Sequence, residues 1–139
     1  MSGSLDVSTA VDPGSMGVFK LNGGSTLDVA SALGISSKMS FAGGSELLVD
    51  DYNSFGQNVG TSTYAGSVLQ NFGGDGTIDL KNFSSANIGS SFSVSGGILQ
   101  LQLNNGTQMA TLDFQNSGLH AGSFHFSSDG GSGVLITHS

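Results

Sequence analysis

A chain of 139 residues has the length of one domain. Three Lys and no Arg against ten acids give a net charge of −7, with only 9% of residues charged; this excludes nucleic acid, whose phosphates need clustered cations, and disfavours anionic membrane surfaces. Cys is absent, which removes disulfides, thiolate metal sites and a Cys nucleophile, while 37% hydrophobic residues beside 23 Gly exclude an ordinary disordered linker.

From the N-terminus, Gly3-Ser4-Leu5-Asp6-Val7 returns as Gly24-Ser25-Thr26-Leu27-Asp28-Val29 and again as Gly44-Ser45-Glu46-Leu47-Leu48-Val49, a period of roughly 20 residues. Between these runs lie Val18-Phe19-Lys20-Leu21-Asn22-Gly23 and Lys38-Met39-Ser40-Phe41-Ala42-Gly43. Apolar residues at every second position in short runs broken by Gly, Asn and Ser predict strands joined by tight turns. Two strands per period predict a short β-solenoid, its coils stacked about 4.8 Å apart. Leu5, Leu27 and Leu47 then form one inward ladder, Val7, Val29 and Val49 a second, and Phe19 and Phe41 stack on the opposite wall; Asp6 and Asp28 face solvent.

Residues 50–65 read as an irregular excursion whose only large side chains are Tyr52, Phe55 and Tyr64. Strand character resumes at Ser67-Val68-Leu69-Gln70, followed by Gly73-Gly74-Asp75-Gly76-Thr77-Ile78-Asp79-Leu80. From there the runs lengthen. Ile98-Leu99-Gln100-Leu101-Gln102-Leu103 and Met109-Ala110-Thr111-Leu112-Asp113-Phe114 flank Asn105-Gly106, a pair suited to the positive φ of a hairpin turn. Phe92-Ser93-Val94, Ser123-Phe124-His125-Phe126 and Val134-Leu135-Ile136-Thr137 are further strands. The expected fold is therefore all-β, with solenoid coils over residues 1–80 and a continuous antiparallel β-meander over residues 81–139 that caps them.

From about residue 40 the chain resembles the β-solenoid passenger and adhesin-like segments of large secreted proteobacterial proteins. The likeness lies in Ser45 to Val49, Asp50, Phe55, Gly76-Thr77-Ile78-Asp79-Leu80, the Gly97-Ile98-Leu99 to Thr111-Leu112 hairpin, and Phe124-His125-Phe126-Ser127-Ser128-Asp129-Gly130-Gly131-Ser132-Gly133-Val134-Leu135-Ile136-Thr137. Such autotransporter-like segments sometimes stand ahead of a Hint processing domain. Here Asp75 precedes Gly76, where the family order places the Asp after the Gly, and no such domain follows Ser139, so the expectation is a free-standing structural unit.

Chemistry is sparse by comparison. The run from Gly73 to Leu80 approaches a calcium-binding nonapeptide and makes Asp75 and Asp79 candidate ligands, but Ile78 stands where the ligand is needed and Asp79 points to the opposite face. Asp50, Asp51 and Asp129 read as solvated loop charges. His120 and His125 are five apart, an odd offset that puts them on opposite faces of a strand, and no catalytic motif is present. The expectation is a protein that is not an enzyme and takes no cofactor.

With the first coil unpreceded, its strands form an open edge, and Leu5, Val7, Val18, Phe19 and Leu21 are the candidate self-assembly residues. The partner is then the protein itself, in a filament or closed dimer of an extracellular fibre or biofilm matrix. One alternative is an adhesin-type module that binds a glycan or surface through Tyr52 and Tyr64; another is a bacterial cytoskeletal filament subunit. Residues 1–6 lack the basic start and apolar block of a secretory signal, and no apolar run approaches the roughly 18 to 20 residues of a membrane span. The expected address is extracellular or the cell surface by a leaderless route, with the cytoplasm as the alternative.

Overall fold

Runs of four residues in extended conformation cannot satisfy their own backbone groups, so they must pair laterally with other runs. The structure, a computed structural model, describes residues 4–7, 18–29, 38–52, 68–115 and 118–139. These form β1 (Ser4–Val7), β2 (Val18–Leu21), β3 (Thr26–Val29), β4 (Lys38–Phe41), β5 (Glu46–Val49), β6 (Val68–Gln70), β7 (Thr77–Leu80), β8 (Gly89–Ser95), β9 (Ile98–Asn104), β10 (Met109–Gln115), β11 (Phe124–Ser128) and β12 (Val134–His138). A 3-10 turn at Ala121–Ser123 precedes β11, and no α-helix occurs among the described residues.

The fold is all-β, in two mixed six-stranded sheets ordered β1-β3-β5-β7-β12-β11 and β2-β4-β6-β10-β9-β8. In the first sheet β1, β3, β5 and β7 pair in parallel, β12 is antiparallel to β7, and β11 is antiparallel to β12. In the second, β2, β4, β6 and β10 pair in parallel, then β9 and β8 alternate. Residues 81–139 thus extend both sheets, with β8, β9 and β10 joining the second and the β11–β12 hairpin the first.

Register is set at the glycine turns. Ser25 closes one by donating its backbone N–H and its hydroxyl to the Asn22 carbonyl at 2.9 and 2.6 Å, and Ser45 does the same to Ala42 at 3.0 and 2.6 Å. Gly24 and Gly44 sit at φ 73° and 72°, a conformation costly for any side chain with a Cβ. The turns then stack: the Gly24 N–H donates to the Gly43 carbonyl at 3.1 Å, Glu46 to Ser25 at 2.9 Å and Thr77 to Ser45 at 3.0 Å.

This stacking aligns Leu5, Leu27, Leu47 and Ile78 in one row, continued by Ile136 and Phe126. A second row runs Val7, Val29, Val49, Leu80, Val134, Ser128. On the other sheet, Phe19 pairs with Met39, and the row continues through Leu69, Phe114, Leu99 and Val94. Phe41 pairs with Leu21 instead, which corrects the expected Phe19–Phe41 stack. Leu21 and Phe41 each stand two positions before the first Gly of their turn, and that offset decides the pairing rather than a match of aromatic residues.

The inner faces meet in one apolar core that includes Leu27, Met39, Leu47, Leu69, Ile78, Leu101, Leu112 and Phe114. Phe124 of the first sheet ties them together, its ring 5.3 Å from both Phe92 and Phe114 of the second. The β9–β10 hairpin closes by a four-residue loop, with Asn104 opposite Met109, rather than by a two-residue turn. Only Gly106 of its Asn-Gly pair has positive φ, and the Asn105 side-chain Oδ1 accepts the Thr107 and Gln108 N–H groups at 3.1 and 2.8 Å.

Candidate functional site

Pairing leaves four edge strands among the described residues, β1 and β11 in one sheet and β2 and β8 in the other. An unpaired edge presents backbone donors and acceptors to any chain that can lie along it. Leu5 and Val7 fall on β1, and Val18, Phe19 and Leu21 on β2, so the structure brings the predicted self-assembly residues to two strands at one end of the two sheets. Leu21, at 4% exposure, belongs to the core rather than to the displayed edge. At the other end, Val94 of β8 is 59% exposed although it closes the inward row through Phe114 and Leu99. The row runs out before the side chain finds a neighbour on its far side.

The outer surface of the first sheet is acidic. Asp28, Leu48 and Asp79 share one row, and Thr26, Glu46 and Thr77 the next. Lys81 donates to Asp28 at 2.8 Å and lies 3.3 Å from Asp50; the Asp28 hydrogen bond raises its pKa. Asp79 is only 9% exposed, and among the described residues one carboxylate oxygen has no hydrogen-bond partner. Burial, then repulsion from Asp129 and Glu46, pushes its pKa up to about 6, with Lys81 pulling the other way. Asp75 is exposed in the turn before β7. Among the described residues no three His, Asp or Glu side chains converge in an arrangement that could hold a metal ion.

The loop after β11 packs onto the end of β7. The Asp129 carboxylate accepts the N–H groups of Gly131 and Gly133 at 2.6 and 3.1 Å, and Ser132 donates to the Lys81 carbonyl at 3.0 Å. A Cβ on Gly133 would lie 2.7 Å from the Leu80 carbonyl oxygen, so no other residue fits there without displacement.

Tyr52 is half-buried, its ring edge-on to Phe83 at 5.3 Å, which makes it an anchor on the core; Tyr64 lies outside the described residues. The histidines have different surroundings. His138 is buried against Phe124, its Nε2 accepting the His120 N–H at 3.1 Å, and burial lowers its pKa. The exposed His125 places Nε2 2.8 Å from the Ser139 hydroxyl. A Ser-His pair becomes a nucleophile and base only when a third group orients the imidazole, and no carboxylate hydrogen-bonds this ring among the described residues.

Sequence reasoning missed one polar row. Ser93, Gln100 and Asp113 align across β8, β9 and β10 on the face away from the core, where alternation predicts solvent; Gln100 and Asp113 are buried, as is the Ser93 hydroxyl oxygen. No signal in the alternating pattern distinguishes a covered outer face from a wet one.

No family model, no curated protein and no solved structure matches this chain.

Proposed function

We propose that this protein is a non-enzymatic structural subunit, a short β-solenoid that associates with copies of itself into an extracellular or surface fibre. The observation that carries the reading is the in-register parallel stacking of β1, β3, β5 and β7 beside that of β2, β4 and β6, ending in β1 and β2 as the edge strands at one end among the described residues. Another copy laid along both edges gains backbone hydrogen bonds and buries the ends of apolar rows. With only 9% of residues charged, little ionic desolvation opposes the contact. The likeness to β-solenoid passenger segments accords with this role.

Negative-stain microscopy of the purified protein tests the reading, with fibres of micrometre length as the expected outcome. Monodisperse particles at all concentrations would replace it with the adhesin-type module that binds a glycan or surface. Deleting residues 1–23, which removes β1 and β2, is expected to abolish the fibres.

A further inference from the structure

The two ends of the molecule are complementary in a way that the fibre reading alone does not require. β12 reverses the direction of β7 and β11 reverses it again, so β11 runs parallel to β1. By the same double reversal at β9 and β8, β8 runs parallel to β10 and hence to β2. Among the described residues both sheets also contain six strands. A copy translated along the stacking direction by six strand spacings, about 29 Å, therefore places its β1 beside β11 and its β2 beside β8 at once, each in parallel. Unequal strand numbers would let one sheet meet while the other was left apart.

Resting on the self-association proposed above, we infer that subunits join head to tail, β1 and β2 of one copy adding to β11 and β8 of the next in a polar filament. The rows fix the register. Continuing the row that ends Ile78, Ile136, Phe126 sets the incoming Leu5 beside Phe126, with Asp6 beside Ser127 and Val7 beside Ser128. In the second sheet, continuing the row that ends Phe114, Leu99, Val94 sets the incoming Phe19 beside Val94, with Val18 beside Ser93 and Lys20 beside Ser95. Val94, 59% exposed in the single chain, then gains the apolar neighbour that its row lacks. A two-fold joint of β1 and β2 on themselves would instead bring two copies of Asp6 to adjoining strands and leave the outer edges of β8 and β11 open.

The cysteine-free chain makes the joint directly testable. Adjacent strands hold their Cα atoms about 4.8 Å apart, within the range that a disulfide spans. Asp6→Cys and Ser127→Cys variants are prepared separately, mixed, assembled and oxidised. A disulfide-linked pair containing one of each is expected in the mixture, and fibres imaged at high resolution should repeat every 29 Å or so along the axis. Fibres whose only cross-links join Asp6→Cys to itself, or that form no cross-link at all, would overturn the head-to-tail joint while leaving self-association standing. Wild-type protein that forms no fibres would overturn both. Val94→Lys provides a second arm, because an exposed side chain can be changed without unfolding the subunit: its thermal transition should match wild type, while the critical concentration for fibres rises roughly tenfold or more. An unchanged critical concentration would overturn the joint as drawn.

Discussion

Asp113 is fully buried, and among the described residues neither of its carboxylate oxygens meets a hydrogen-bond donor. Its cross-strand partner Gln100 favours the ionised form, but the Gln100 amide also lacks a partner in bonding geometry, so burial dominates and pushes the pKa up to about 6. The folded state therefore holds this proton more tightly than the unfolded chain, whose carboxyl titrates near 3.8. The stabilisation is complete below the unfolded value and is lost as pH rises through the folded one. Asp113→Asn, which carries no charge at any pH, is expected to raise stability at pH 7.5 by about 1–3 kcal/mol, with the advantage shrinking to nothing below about pH 4. Urea denaturation of both proteins across that range checks it; a constant difference would mean that the carboxylate finds a partner when ionised. His138 works in the opposite sense. Burial lowers its pKa, so its contribution is present above the unfolded value near 6.5 and is lost as pH falls through the folded one.

At the scale of elements, the four-residue strands are held by what stacks on them. Leu47 has β3 on one side and β7 on the other, and its side chain is completely buried between Leu27 and Ile78. Leu47→Ala is expected to cost 2–5 kcal/mol or so, read as a lower denaturation midpoint with little change in slope. The position of this row was legible, because the repeat places Leu27 and Leu47 at the same offset from their Gly-Gly turns. On the other sheet the repeat was legible but the pairing of its residues was not: Phe19 stands opposite Met39, because hydrogen-bonded turns align backbones without regard to which apolar side chain each strand carries. The Lys81 contacts with Asp28 and Asp50 were not legible at all. They join residues distant in the chain, and as partly exposed pairs they contribute at most about 1 kcal/mol each.

The whole molecule carries a net charge of −7, which the proposed filament would repeat at every subunit. Apolar and backbone contacts at the joint must then act against like-charge repulsion, which salt screens within a Debye length of about 10 Å at 0.1 M. Fibre growth followed by light scattering is expected to quicken as salt is raised from about 10 mM to about 300 mM; slower growth would mean that ion pairs hold the joint. Several features were determined by the sequence alone. Period-two runs and the Gly-Gly turns dictated strands, and the repeat dictated which strands align. Only the tertiary structure decided that residues 81–139 divide between the two sheets, that each sheet reaches six strands, and that the far edges run in the same direction as the near ones. Alternation and turn residues act over a few positions and are written locally, whereas the choice of sheet, the direction of a returning strand and the covering of an outer face depend on which surfaces are free once the rest of the chain has packed.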